Sequence, residues 1–260
     1  MPTITVKGAT LRYERSGPAD RPAVAFLPDV GFGPWVWGWQ APEFAGSYRT
    51  VVQAARGTDG SKGPGPYTID RFAAELEAIL TDAGIRRVHL VGAGLGGMVA
   101  LRYAREYGRA RSLSLLGVAA SGDRIDRAAL SALHPADPAG FEGSLSVAFT
   151  DRFLTETDLG ERITAWRRKE DATGEALSGH HEAALGFEAG ALYELSLPVL
   201  VCHGVDDPIV PPAAGEELAA ELPNGRFEAV EGKRCCYVEH AAAVADAIDG
   251  FIDEVVTSKA

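Results

Sequence analysis

The segment Gly92-Ala93-Gly94-Leu95-Gly96 has the glycine spacing of a corner that presents a nucleophile. The apolar run Val88–Val91 precedes it and the amphipathic stretch Leu95–Tyr107 follows it. In the pattern G-x-S-x-G, the central serine stands on the strained turn between a strand and a helix. Here that position is Gly94, which has no side chain to attack a substrate. The N–H of Leu95 still opens a helix, where the dipole favours negative charge.

Short apolar runs alternate with helical patterns around this corner, which predicts an α/β fold with a mostly parallel eight-stranded sheet. The predicted strands are Thr3–Val6, Thr10–Tyr13, Ala23–Leu27, Thr50–Ala54, Val88–Val91, Leu113–Leu116, Val199–Cys202 and Arg226–Val230. The predicted helices are Ile69–Asp82, Leu95–Tyr107, Ala214–Glu221 and Ala241–Val255. The first of these helices has an apolar stripe at helical spacing, suited to packing on the sheet.

Residues 120–195 interrupt the alternation of strands and helices. They are rich in helix formers and charges, include the run ERITAWRRKED, and fit no strand well. We interpret them as a helical cap inserted over the carboxyl edge of the sheet. The predicted domains are therefore a core of residues 1–119 and 196–260 and a cap of residues 120–195.

The composition fits one α/β domain with an insertion. The chain has 260 residues, of which 46% are hydrophobic and 23% charged, and its formal net charge is −11. This charge argues against nucleic acid or an anionic membrane as a partner. No signal peptide or membrane span is predicted, and the three cysteines show no metal-type spacing. A cytoplasmic protein is expected, and its oligomeric state is left open, a homodimer included.

Five motifs in order along the chain resemble the α/β-hydrolase superfamily, in particular its capped esterase, enol-lactonase and haloperoxidase-like branch. The motifs are FLPDVGFGPWVW, RGTDGS, VGAGLGGMVA, PVLVCHGVDDPIVPP and FEAVEGKRCCYVEH. The resemblance covers nearly the whole chain and implies the α/β-hydrolase fold. It also implies a triad of serine, aspartate and histidine, with two backbone N–H groups forming an oxyanion hole.

The positions that match this triad are altered. Gly94 stands at the serine, and Pro28-Asp29 replaces the His-Gly pair that opens the oxyanion loop. The acid matches Asp207, and the second oxyanion donor matches the N–H of Val30. The histidine loop is one residue short, so that either Arg234 or Cys235 stands at the histidine position. Losing serine or histidine from such a triad costs about a millionfold in turnover, which excludes a conventional serine hydrolase.

Asp29 is the candidate replacement for part of the lost acid–base chemistry. A carboxylate at this position projects towards or beside the oxyanion hole and, in an apolar pocket, would serve as a proton shuttle. The alternative is an aspartate that caps its own loop by accepting nearby backbone N–H groups. Asp207 is a candidate catalytic acid or, in the alternative, a structural partner of Arg234.

Other side chains are weaker candidates. Cys235 is a candidate nucleophile for an unconventional hydrolase, although a neighbouring carboxylate disfavours its thiolate. Phe32, Trp35 and the cap residue Trp166 are expected to line a pocket for an apolar ligand. His180-His181 is expected to be a solvated pair. No metal site and no cofactor are predicted.

The altered site leads us to expect a non-hydrolytic enzyme, a cyclase, lyase or isomerase acting on an apolar small molecule, with secondary metabolism as one setting. Asp29, Asp207 and the backbone donors would handle protons and charge in an enclosed pocket. The alternative expectation is an inactive ligand-binding or partner-binding protein. A third alternative is a hydrolase with an unconventional nucleophile.

Overall fold

The computed structural model describes residues 1–257 and contains an eight-stranded sheet. The strands are β1 (Thr3–Val6), β2 (Ala9–Ser16), β3 (Ala23–Leu27), β4 (Arg49–Gln53), β5 (Val88–Ala93), β6 (Ala110–Leu116), β7 (Val199–Gly204) and β8 (Gly225–Val230). Their order is β1-β2-β4-β3-β5-β6-β7-β8. Strand β2 is antiparallel to both its neighbours, and the other pairs are parallel. The predicted mostly parallel sheet is confirmed.

The helices flank this sheet. They are α1 (Gln40–Phe44), α2 (Ile69–Asp82), α3 (Leu95–Glu106), α4 (Arg127–Leu133), α5 (Phe141–Ala148), α6 (Asp151–Glu156), α7 (Leu159–Glu170), α8 (Gly174–Leu185), α9 (Pro212–Glu221), α10 (Cys236–Glu239) and α11 (Ala241–Thr257). Short 3₁₀ turns occur at Pro34–Trp37, Gly122–Arg124, Pro138–Gly140 and Leu192–Glu194. Within residues 1–257, no helix combines the length and apolar character needed to cross a membrane.

Helix α2 illustrates how local sequence sets an element. Thr68 caps its first turn by accepting a hydrogen bond from the N–H of Arg71 at 3.2 Å. Phe72, Leu76 and the following apolar positions are buried against the sheet, as their spacing predicts. The helix ends before Gly84, whose φ of 67° continues the chain in the left-handed conformation typical of helix ends.

The carboxyl ends of the parallel strands meet at one edge of the sheet and carry the candidate residues. All residues of β3 and β5 are buried, which suits apolar strands at the centre of a parallel sheet. The loop after β3 carries Asp29, the corner after β5 is Gly94, and the loop after β7 carries Asp207. Chain segments far apart in sequence are thereby brought together at this edge.

Residues between β6 and β7 form helices α4 to α8 over this edge, and no strand occurs among them apart from an isolated bridge between Ser121 and Glu188. Helix α8 packs on α3, and α7 packs on the turn Pro34–Trp37. The cap boundaries at residues 120 and 195 remain a prediction.

A buried ion pair in the cap holds the loop that follows Asp29. Asp171 accepts hydrogen bonds from the N–H of Gly33 at 3.0 Å and from Nε1 of Trp35 at 2.8 Å. Its other oxygen lies 2.9 Å from Nε of Arg167. The Arg167 guanidinium also donates to Oγ of Ser144 at 2.6 Å and packs over the ring of Phe32 at 5.1 Å. The cap therefore fixes the position of the oxyanion loop.

We expect Arg167→Met to lower the free energy of unfolding by about 3–5 kcal/mol, because it leaves the buried Asp171 carboxylate without its cation. Urea denaturation measures this loss. Arg168→Met is the matched control, since Arg168 is exposed on the same helix, and a change within about 0.5 kcal/mol is expected there. Equal effects of the two substitutions would contradict this role for Arg167.

Candidate active site

Gly94 forms the corner between β5 and α3 with φ of 43° and ψ of −111°. This positive φ favours glycine, since a Cβ would be strained there. The N–H of Gly94 donates to the carbonyl of Leu116 at 2.9 Å. A Cβ at Gly96 would lie 2.2 Å from the carbonyl oxygen of Leu27, so this second glycine lets α3 start directly against β3. The corner thus has the geometry of a nucleophile elbow, with no side chain upon it.

The carboxylate of Asp29 fills the space in front of this corner. Its Oδ1 accepts hydrogen bonds from the N–H of Val30 at 2.6 Å and from the N–H of Leu95 at 3.1 Å. A Cβ on Gly94 would lie 1.6 Å from the same oxygen. The carboxylate therefore stands both in the oxyanion hole and where a serine side chain would begin. By accepting the N–H of Val30, Asp29 caps its own loop, as the alternative interpretation of this residue expected. It also accepts the N–H of Leu95 at the start of α3.

Arg234 binds this carboxylate from the loop that follows β8. Its Nε lies 2.7 Å from Oδ2 of Asp29, and its Nη2 lies 3.1 Å from Oδ1. Its Nη1 donates to Oδ2 of Asp207 at 3.0 Å and to the carbonyl of Gly117 at 2.7 Å. Burial lowers the pKa of the guanidinium, but the charges of Asp29 and Asp207 outweigh this effect and hold that pKa above its ordinary value. Arg234 thus stands beside the acid, where the family has its histidine.

Asp207 is held by its own loop as well as by Arg234. Its Oδ1 accepts from the N–H of Ile209 at 2.8 Å and from the N–H of Val210 at 3.2 Å. Nε2 of His203 lies 3.5 Å from its Oδ2. Burial raises the pKa of Asp207, but Arg234, then His203, more than offset this and leave the pKa below its usual value. The ion pair with Arg234 that the sequence suggested is present.

The family model for the α/β-hydrolase family matches residues 24–247 of this chain. The chain belongs to the α/β-hydrolase family. It is 26% identical over 259 residues to 3-oxoadipate enol-lactonase 2 of Acinetobacter baylyi, covering 96% of both chains. It is 29% identical to a pimeloyl-(acyl-carrier protein) methyl ester esterase of Aromatoleum aromaticum, over 80% of this chain and 88% of the relative. The solved structure of a hydrolase from Pseudomonas aeruginosa superimposes with a TM-score of 0.86 at 26% identity, covering 96% of this chain and 97% of that one.

These relatives correct the function expected from the sequence. Matches over most of the chain are named as a lactonase, an esterase and a hydrolase, all of which point to hydrolytic activity. The expectation of a non-hydrolytic cyclase, lyase or isomerase is therefore wrong, and so is that of an inactive binding protein. The error came from treating the loss of the serine at Gly94 as the loss of hydrolysis itself.

Cys235 lies behind Arg234 and lacks the surroundings of a nucleophile. It is fully buried, and its Sγ lies 3.9 Å from the hydroxyl of Tyr237. Burial, followed by the charge of Asp29, raises the pKa of the thiol well above its ordinary value. A protonated thiol is a poor nucleophile, so the interpretation of Cys235 as the nucleophile receives no support from its environment.

His180 braces the oxyanion loop from the cap. Its Nδ1 accepts a hydrogen bond from the N–H of Gly31 at 3.2 Å, and its Nε2 donates to the carbonyl of Arg56 at 2.7 Å. Both ring nitrogens are used, which fixes one neutral tautomer. The expected solvated pair is therefore wrong: His180 is fully buried and His181 is half-buried.

Two of the three aromatic candidates border a cavity, which lies away from Asp29. Trp35 and Trp166, with ring centroids 6.4 Å apart, border a cavity of about 360 Å³ whose lining contains neither Asp29 nor Gly94. Phe32 is buried beneath them, 5.3 Å from the ring of Trp35. Nε1 of Trp35 donates a hydrogen bond to Asp171 in the cap, which fixes the orientation of the indole.

His134, at the end of α4, is a site residue that the sequence did not reveal. Its ring lies 5.0 Å from the ring of Phe32 and 5.6 Å from that of His181. The residues next to His134 in sequence give no indication that it lies near the site. Only the folding of the cap over the sheet edge brings it close to the loop that follows Asp29. Among the described residues, no cluster of three or more histidine, cysteine or acidic side chains could hold a metal ion.

We expect Gly94→Ala to lower the free energy of unfolding by at least about 3 kcal/mol, because it adds a steric clash with Asp29 to the strain of a positive φ. Gly84→Ala is the control for strain alone, since Gly84 has φ of 67° and a Cβ added there would meet no heavy atom within 4 Å. Its cost should be about 1–2 kcal/mol.

A double-mutant cycle in urea isolates the clash. Asp29→Ala in the Gly94→Ala background should recover at least about 1 kcal/mol relative to additivity, because the Oδ1 that meets the new Cβ is gone. Strict additivity of the two substitutions would show that Asp29 does not exclude a side chain at Gly94.

We also expect stability to fall with acid through His180. Burial lowers its pKa to about 4, so below the ordinary value of 6.5 the unfolded chain takes up a proton that the folded protein refuses. The contribution of this residue is complete above 6.5 and is lost by up to about 1.4 kcal/mol per pH unit as the pH falls towards 4. Urea denaturation across this range should show a shallower loss for His180→Gln than for the parent, and parallel losses would refute the assignment.

Proposed function

We propose that the protein is a hydrolase whose nucleophile is the carboxylate of Asp29. Its substrate is a small apolar molecule with a leaving group, an oxygen or a halide, on a saturated carbon. One observation carries the proposal: Oδ1 of Asp29 lies between the N–H groups of Val30 and Leu95, 1.6 Å from the position of a Cβ on Gly94. A carboxylate thus stands where the family presents its nucleophile.

The two oxygens of Asp29 are engaged differently. Oδ1 accepts from three donors, namely two backbone N–H groups and Nη2 of Arg234. Oδ2 accepts from Nε of Arg234. Oδ2 therefore keeps a lone pair for attack on the substrate carbon. The new bond joins Oδ2 to that carbon, and the leaving group departs with the electron pair of the broken bond.

The oxyanion hole serves the second step. Water attacks Cγ of the Asp29 ester, negative charge develops on Oδ1, and the two N–H groups at 2.6 and 3.1 Å already point at that atom. Collapse of this intermediate releases the alcohol with Oδ2 and restores the carboxylate with one oxygen from water. The sum is hydrolysis: the substrate and one water give an alcohol, the leaving-group anion and a proton.

The occupied hole also favours saturated carbon as the point of attack. A carbonyl oxygen of a substrate cannot bind the N–H groups of Val30 and Leu95 while Oδ1 of Asp29 does so. Displacement at saturated carbon develops no oxyanion on the substrate at this place. For a methyl ester, the class named for one relative, this selects the bond between the ester oxygen and the alkyl carbon.

Arg234 and Asp207 stabilise the charge changes of this cycle. The resting cluster contains two carboxylates and one guanidinium, and its net charge is −1. Esterification neutralises Asp29, and Arg234 then remains paired with Asp207 at 3.0 Å. A buried guanidinium without a carboxylate would be costly, so Asp207 makes the ester intermediate accessible.

Single turnover in oxygen-18 water tests this mechanism. With phenyl glycidyl ether and 1-bromohexane as probes, we expect one oxygen-18 atom in the peptide containing Asp29 and none in the peptide containing Asp207, as read by mass spectrometry. Asp29→Asn should lower turnover by about a thousandfold or more, because the amide is a poor nucleophile.

The acyl ester p-nitrophenyl butyrate tests the opposite case, hydrolysis at a carbonyl carbon without Asp29 as nucleophile. Turnover of that probe with no label in Asp29, and unchanged turnover in Asp29→Asn, would overturn the proposal. The urea midpoint of Asp29→Asn, measured alongside, separates lost chemistry from lost folding.

A further inference from the structure

Two histidines of the cap have buried nitrogens without hydrogen-bond partners. Nε2 of His134 and Nε2 of His181 are both inaccessible, and neither bonds to any group among residues 1–257. Their rings lie 5.6 Å apart at 63°. An unsatisfied buried polar atom costs about 1–3 kcal/mol, and here two such atoms belong to neighbouring imidazole rings.

His134 lies over the loop that carries Asp29, and His181 lies beside it. His134 stands between Phe32 and His181, with ring centroids at 5.0 and 5.6 Å. A Cβ on Gly31 would lie 2.9 Å from Cε1 of His134. Gly31 and Phe32 follow Asp29 within three residues, so the imidazole of His134 faces the segment that presents the carboxylate, and His181 packs against His134.

Both imidazoles are neutral at ordinary pH. Burial lowers the pKa of His134 well below its usual value, and the charge of Arg167 adds to this effect. Burial also lowers the pKa of His181, and the negative charge of Asp29 opposes it. A neutral imidazole keeps one nitrogen lone pair, which can accept a proton.

Arg234, His180 and Asp207 are poorly placed to take up a proton from water. Arg234 is permanently protonated. Both nitrogens of His180 are engaged, with the N–H of Gly31 and the carbonyl of Arg56. Asp207 accepts from Arg234 and from its own loop. His181 is half-buried, so part of its ring remains accessible to water, while its enclosed Nε2 has no partner among residues 1–257.

We infer that His181 is the general base of the second step, with His134 holding its ring over the Asp29 loop. The inference rests on the proposed function. His181 takes a proton from the water that attacks Cγ of the Asp29 ester. It returns that proton to the departing oxygen, so that the alcohol leaves neutral and the imidazole is regenerated.

The experiment follows the covalent ester on Asp29 by intact-protein mass spectrometry during reaction with phenyl glycidyl ether. In His181→Gln, the ester should form at a rate close to that of the parent and accumulate towards one per protein. Steady-state turnover should fall about 10²–10⁴-fold, the usual contribution of a general base. His240→Gln is the matched control, since His240 is exposed, and it should behave as the parent.

The outcomes separate this inference from the proposed function. An ester on Asp29 in the parent, with His181→Gln and His181→Asn hydrolysing it as fast as the parent, would overturn the role of His181 alone. No ester on Asp29 in any variant, despite turnover of the probe, would overturn the proposed function and the inference with it. The urea midpoints of both variants identify any loss caused by unfolding.

Discussion

The contact between Arg234 and two carboxylates organises the functional edge of the sheet. Asp29 comes from the loop after β3, Asp207 from the loop after β7, and Arg234 from the loop after β8. All three are buried, so each charge loses hydration that only its partners replace. Removing Arg234 would leave two buried carboxylates without their cation. The cluster therefore fixes the relative positions of three loops, which the sheet alone only brings near one another.

The same contact explains why the substitutions at the triad positions belong together. The carboxylate of Asp29 occupies the volume in front of Gly94, so a serine there would collide with it. The hole that in the family accepts a substrate oxygen accepts Oδ1 instead, and a cation at position 234 balances the charge so introduced. A histidine would offer that carboxylate one hydrogen bond, whereas the guanidinium reaches both its oxygens and Asp207 at once. Each residue requires the others sterically or electrostatically.

Local signals predict the fold, since apolar runs, glycine corners and helix caps act over a few residues. Helix α2 has the predicted bounds Ile69–Asp82. The sequence predicts strand β2 too short, because its second half is stabilised by pairing with β4, a contact remote in sequence.

The candidate site is harder to predict from local sequence than the fold. The short loop before Glu239 leaves Arg234 and Cys235 as equal candidates, and only the partners of Arg234, far away along the chain, distinguish them. His134 carries no local signal at all.

In the proposed mechanism, the charged groups and the proton-transferring groups come from different parts of the protein. At the sheet edge, pairing lowers the pKa of Asp207 and raises that of Arg234, so both groups stay charged. The cap contributes neutral imidazoles, whose protonation burial makes unfavourable and therefore short-lived. A conventional triad joins both tasks in one histidine. Here a permanent cation has taken its place beside Asp207, and the base that we propose, His181, comes from the cap. In this proposal the cap contributes the general base and also covers the site. Its contacts with the Asp29 loop, through His180 and Asp171, therefore help to position the reacting groups.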